Sequence, residues 1–217
     1  AKSIGSKVIP SDRITLAKSN VSDVRLGIGA GSFFSTGLNK VTANYDSPNI
    51  VDVAADPDLA KMQIVDKADG VATYRLFENT TLTNEDGDSL WTKFLDDEGF
   101  MDDVDDTEWV VMPVRITLGK VLSPLNQVEP SVMVCVGQRV IEDTKFKNNR
   151  SLEIANALNT YDFPKMLHTN SALIGCIAMR GDATDFADSE KVYIVTGDQT
   201  TLLTSGIEEA AAAVDEL

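Results

Sequence analysis

Residues 172–179 read Ala172-Leu173-Ile174-Gly175-Cys176-Ile177-Ala178-Met179, an apolar run with no charge in it. It is far shorter than the roughly 20 residues a membrane-spanning helix needs. It lacks the polar alternation of a half-exposed strand, so it reads as a β-strand covered on both faces. Ser131–Ile141 is near-continuously apolar and reads the same way, and Lys191–Thr196 is another strand. Trp109–Leu118 is rich in β-branched residues and also reads as a strand, although Pro113 implies an edge position, a bulge or a break. Val71–Phe77 alternates and predicts one more strand.

Helical signals are fewer. Ser151–Asn159 places Leu152, Ala155 and Leu158 on one side of a helix. Ser205-Gly206-Ile207-Glu208 has the Ser-x-x-Glu form of a capping box, and Ile207, Ala211, Val214 and Leu217 then share a face, which predicts a C-terminal helix. Asp56 followed by Pro57 suits the start of a short helix. Leu90, Trp91, Phe94 and Leu95 form two i, i+4 pairs, which predicts a short amphipathic helix with an acidic loop behind it. The fold class that follows is α+β and β-dominant: an antiparallel or mixed sheet core, a few short helices, an extended N-terminal arm and a C-terminal helix. The domain plan is an arm over 1–20 and one body over 21–217, with an acidic excursion at 84–108.

The chain has 217 residues, enough to bury a real core. Its formal net charge is −15, on an apolar content of 43% that is ordinary for a globular protein. The charge is unevenly laid down. Residues 1–20 carry Lys2, Lys7, Arg13 and Lys18 against Asp12, a local charge of +3. Residues 84–108 carry eleven acids against Lys93, a local charge of −10. Those acids include Asp96, Asp97, Glu98, Asp102, Asp103, Asp105 and Asp106. Such a balance disfavours direct, high-affinity binding to nucleic acid, which needs cations to neutralise phosphates. The opening residues have no apolar core of a secretory signal and no run is long enough to span a bilayer, so cytoplasmic synthesis and no membrane partner are expected.

Motifs for chemistry are missing or incomplete. Gly27-Ile28-Gly29-Ala30-Gly31 starts like a dinucleotide fingerprint, but Ser32 stands at its sixth position and no helical period follows. A glycine-rich loop or bulged strand is the expected structure. Asn84, Asp86 and Asp88 alternate as calcium ligands do, yet Gly87 comes too early and Leu95 holds the closing position of an EF-hand. His168 is the sole histidine, so any triad would have to use it, and no Gly-x-Ser-x-Gly elbow is present. Cys135 and Cys176 sit in apolar runs and are expected as buried small hydrophobes. With His168 they supply three Cys/His ligands, one short of a tetrahedral site. No catalytic residue, cofactor or metal is expected.

In general layout the chain resembles virion structural proteins of tailed bacteriophages, such as capsid-decorating (cement), tail-tube and neck proteins. The likeness rests on the arm-like Ala1–Asn20, the β-rich body, the Asp-rich Asn84–Glu108 and the Thr/Asn/Ser/Asp-rich loops. It implies a non-enzymatic component of a particle, made in the host cytoplasm and located in the virion. A capsid decoration protein that binds a shell or neighbouring subunit is the first expectation. A tail-tube or neck (head–tail connector) subunit with an acidic lumen is the alternative. A divalent-metal-dependent enzyme or binding domain built on the 84–108 loop is a third reading, from a different class. The expected partners are copies of itself, or a major capsid or tail protein. The candidate contacts are Lys2, Lys7, Arg13 and Lys18 on one side, and Asp96, Asp97, Glu98, Asp102, Asp103, Asp105 and Asp106 on the other.

Overall fold

The structure, a computed structural model, describes residues 7–8, 16–18, 26–34, 50–53, 61–68, 71–78, 92–96, 98, 100–122, 127–162, 171–184 and 188–196. The early strands are β1 (Lys7–Val8), β2 (Leu16–Lys18), β3 (Leu26–Ile28), β4 (Gly31–Phe34) and β5 (Ile50–Val53). Next come β6 (Lys61–Ala68), β7 (Val71–Glu78), β8 (Lys93–Leu95) and β9 (Met101–Asp103). The second half holds β10 (Glu108–Leu122), β11 (Gln127–Cys135), β12 (Val140–Glu142), α1 (Asp143–Asn148), α2 (Arg150–Asn159), β13 (Ser171–Arg180) and β14 (Val192–Thr196).

The long strand β10 organises the main sheet, whose order is β14-β13-β10-β11-β6-β7 with β12 also paired to β10. On one edge β10 runs antiparallel to β13, from Trp109 opposite Arg180 to Thr117 opposite Ser171. On the other edge it changes partner: β12 pairs as far as Val110, and β11 begins at Val114. Pro113 falls in the gap between those two partners, one residue before a register shift at Val114/Arg115. A residue without an N–H is thus carried in an interior strand at a place where one ladder is interrupted. The pairing of β11 with β6 is parallel and the other ladders of this sheet are antiparallel, so the sheet is mixed. The protein is a β-dominant α+β fold, as the apolar runs predict.

Those runs are apolar throughout because both faces of the sheet are covered. Val110, Met112, Val114 and Ile116 of β10 face one core, with Val132, Val134, Ile177, Met179 and Val192. Leu16 and Ile28 from the early strands, and Leu95 and Val104 beside β8 and β9, close over it. Trp109 and Val111 face the second core, with Cys176, Ala178 and Val195; Phe146 of α1 and Ile154, Ala157 and Leu158 of α2 close that side.

Three expectations need correction. Residues 93–95 are a strand and not part of a helix; Leu95 is buried in the first core, and its N–H donates to Gly137 O at 2.7 Å. Helix α2 is present, but Leu152 points outward and is half exposed, while Ile154, Ala155, Ala157 and Leu158 are buried. At about 100° per residue, Leu152 lies roughly 200° from Ile154, so the two cannot share a face. Ser131–Ile141 is not one strand: Gly137 interrupts it, and a Cβ there would lie 2.0 Å from Val110 Cγ2. The predicted helices at Asp56 and at 205–217, and His168, lie outside the described residues.

Candidate functional site

The acidic excursion is built as a hairpin. β8 and β9 pair antiparallel, Lys93 opposite Asp103 and Leu95 opposite Met101. Asp96 organises the connection: its N–H donates to Phe100 O at 2.9 Å, and its Oδ1 accepts the N–H groups of Glu98 (3.0 Å) and Phe100 (2.8 Å). This is the Asx-type use of a short carboxylate to hold a turn. Phe94 and Met101 pack against the first core beside the buried Leu95 and Val104. The chain after the hairpin is clasped by the end of β13. Gly181 N–H donates to Glu108 O at 2.9 Å, and a Cβ on Gly181 would lie 2.2 Å from Asp105 O. Only glycine permits that approach.

The hairpin therefore presents its carboxylates from a braced backbone. Glu98, Asp102, Asp103, Asp105 and Asp106 are exposed and Asp96 is half-buried, while Asp97 lies outside the described residues. Lys93 Nζ meets Asp103 Oδ1 at 2.6 Å. Phe100 is exposed among these acids. Among the described residues, no three His, Cys, Asp or Glu side chains converge to hold a metal ion.

Of the basic residues expected as the opposing contact, Lys7 lies in β1, paired to β4, and Lys18 in β2, paired to β3. Lys2 and Arg13 lie outside the described residues. Between Arg13 and Lys18, Leu16 is buried in the first core, against the bare Cα of Gly175. The segment expected as an arm thus contributes a core residue to the body.

A second charged surface lies at the helices. The corner between α1 and α2 gathers Lys145, Lys147 and Arg150, with Arg139 just before it. Asn149 turns the corner: its N–H donates to Lys145 O at 3.1 Å, and its own carbonyl accepts from Glu153 N at 2.9 Å. Glu153 is buried and receives Lys145 Nζ at 3.3 Å and Arg139 Nη2 at 3.9 Å. Asp143 accepts from Lys147 Nζ and from Trp109 Nε1, which hold its carboxyl below the usual carboxylate range. The signal available in the sequence was local: Arg139, Lys145, Lys147 and Arg150 are four of only 19 cations, within twelve positions.

Cys135 and Tyr161 are not activated for nucleophilic chemistry. Burial pushes the Cys135 thiol up to about 12, and Tyr161 is raised in the same way, its O–H donating to Val136 O at 2.5 Å. Arg115, buried beside them, donates Nε to Ser171 Oγ at 2.6 Å and Nη2 to Ser171 O at 2.8 Å. A thiol with so little thiolate is a poor nucleophile. Cys176 pairs with Pro113 on one edge of β10, while Cys135 continues β11 on the other, next to Val134 opposite Val114. Two strand spacings separate them by about 10 Å, beyond the limit of about 7 Å for a disulfide. No disulfide joins them.

No protein-family model, curated protein or solved structure matches this chain. Among the described residues, no helix is long and apolar enough to cross a membrane.

Proposed function

We propose that the protein is a non-enzymatic structural component of a tailed-bacteriophage particle, a capsid decoration protein that docks on a shell subunit or a neighbouring copy. The observation that supports this reading is the braced acidic hairpin. Two-thirds of the chain's excess negative charge lies within residues 84–108, and its described part is held by backbone bonds and core contacts. Fixed charge at a surface selects a partner of opposite sign, sets the register of docking and speeds encounter more than it adds affinity. Apolar contacts then supply the affinity.

The test is co-sedimentation with gradient-purified particles of the virus that encodes the chain. The expected result is stoichiometric binding that raised salt reverses while the shell stays intact. Absence of the chain from purified particles overturns the reading. The mass of the purified protein separates the two assemblies within this class, because a tail-tube or neck subunit forms a ring of many copies.

A further inference from the structure

Residues 136–139 join the end of β11 to the start of β12, and each of the four makes a contact outside those strands. The carbonyl of Val136 accepts the Tyr161 O–H at 2.5 Å. The carbonyl of Gly137 accepts the Leu95 N–H at 2.7 Å, and Gly137 forms a parallel bridge with Phe94. Gln138 bonds the backbone of Asp162 twice. Its Oε1 accepts the Asp162 N–H at 2.7 Å, and its Nε2 donates to the Asp162 carbonyl at 3.1 Å. Arg139 Nη2 lies 3.9 Å from Oε2 of the buried Glu153.

These contacts lead to two places. Phe94 and Leu95 belong to β8 of the acidic hairpin, which closes the core that contains Val110 and Met112. Glu153 belongs to α2, and Tyr161 and Asp162 follow the end of that helix. Helix α2 closes the core that contains Trp109 and Val111. Successive side chains of β10 point to opposite faces, so the two cores lie on opposite sides of the sheet. One connection of four residues thus holds the hairpin on one face and the end of α2 on the other. Packing fixes it as well. Gly137 is buried against β10, where a Cβ would lie 2.0 Å from Val110 Cγ2 and 3.1 Å from Val111 O.

We propose that the 136–139 connection is a coupling element, through which the acidic hairpin and the end of α2 open and close together from opposite faces of the sheet. The inference does not depend on what docks on the hairpin. Breaking the Leu95 bond releases the Gly137 peptide, and the next side chain, Gln138, keeps its two bonds to Asp162 only while that peptide stays in place. The reverse also holds, because a coupling free energy between two sites is reciprocal. A partner that holds the hairpin closed would steady the end of α2 without touching it.

Amide hydrogen exchange of the full chain, read residue by residue where rates report opening equilibria, tests this. Asp96→Ala perturbs the hairpin alone, since it removes the carboxylate that accepts the Glu98 and Phe100 N–H groups. Exchange should become about tenfold faster at Thr160 and Asp162, whose N–H groups bond to Asn156 O and Gln138 Oε1. Gln138→Ala perturbs the other face, and exchange should become about tenfold faster at Leu95 and Val104. Tenfold is about 1.4 kcal/mol, the scale of one or two neutral hydrogen bonds. Tyr161→Phe keeps the ring, removes the bond to Val136 O and should act in the same direction as Gln138→Ala. Amides of the ladder between β13 and β14 should keep their wild-type rates in all three variants. Acceleration confined to the perturbed face overturns the proposal. Equal acceleration in the β13–β14 ladder also overturns it, because that pattern is a global loss of stability.

Discussion

Trp109 stacks on Phe146 with ring centroids 4.2 Å apart and planes inclined by 16°. Trp109 belongs to the central strand and Phe146 to α1, and both side chains are fully buried. Trp109 also donates its indole N–H to Asp143 Oδ1 at 2.7 Å and meets Tyr193 of β14 edge-on at 6.4 Å. One side chain therefore ties the helical corner to two strands of the sheet. Phe146→Ala should lower the unfolding free energy by about 3–5 kcal/mol in a urea titration, because it empties an aromatic site in a packed core. Trp109→Phe keeps much of the packing but loses the hydrogen bond to Asp143, and a smaller loss is expected.

Asp143 should make stability depend on acid pH. Its carboxyl titrates below the usual range in the folded chain because Lys147 and Trp109 donate to it and Arg180 lies 3.7 Å away. The unfolded chain takes up this proton nearer the ordinary aspartate value of about 3.9. The stabilisation from Asp143 is therefore complete above that value and is lost as pH falls through the folded one. Asp143→Asn should cost most near neutral pH, and the gap between variant and wild type should close below about pH 4. A gap unchanged by pH would remove the charge from this explanation.

Gly181→Ala should loosen the root of the acidic hairpin. The added Cβ would lie 2.2 Å from Asp105 O and 2.3 Å from Val104 O, both backbone atoms that cannot rotate away. Overpacking of this kind costs about 1–3 kcal/mol. The expected signature is a lower unfolding midpoint together with faster amide exchange at Leu95 and Val104, whose N–H groups bond to Gly137 O and Thr92 O.

The sheet was legible because burial on both faces leaves continuous apolar runs, and Val71–Phe77, Ala172–Met179 and Lys191–Thr196 coincide closely with β7, β13 and β14. The hairpin was harder. The i, i+4 spacing of Leu90, Trp91, Phe94 and Leu95 predicts a helix, over a window too short to tell a helix from a strand. What decides the matter is non-local: Leu95 bonds to Gly137 and seats in a core made by β10 and β11. The spacing of Leu152, Ala155 and Leu158 predicts an inward Leu152 for a similar reason, since one apolar residue on either side of Glu153 leaves the face ambiguous. The packed residue proved to be Ile154, and Glu153 is buried because Lys145 and Arg139 reach its carboxylate. The acidic half of the candidate site could be read from composition, whereas the basic corner depends on which end of each ion pair faces solvent.

The Cys135 thiol should resist alkylation in the folded protein. With its thiol pushed up to about 12 by burial, almost none is thiolate at neutral pH. Iodoacetamide should label Cys135 at the rate of global unfolding, and labelling should accelerate in step with added urea. Rapid labelling in native buffer would mean that β11 opens locally.

Leu16 decides how the basic N-terminal segment can be tested. It is buried in the first core, where its Cβ and Cδ2 lie 3.4 Å from the position of a Cβ on Gly175. Deleting residues 1–18 removes four cations and this core side chain together. Leu16→Ala alone should cost about 2–5 kcal/mol in a urea titration, with the charge untouched. The deletion should therefore lower stability by at least as much, and lost assembly in that variant would not isolate electrostatics. Reversing Lys2, Lys7, Arg13 and Lys18 to Glu keeps Leu16 in place and moves the segment from net positive to net negative. If the segment docks on a neighbour's acidic surface, the reversed chain should bind more weakly to particles. If binding is unchanged in the reversed chain and lost in Leu16→Ala, the segment acts through the core and not through its charge.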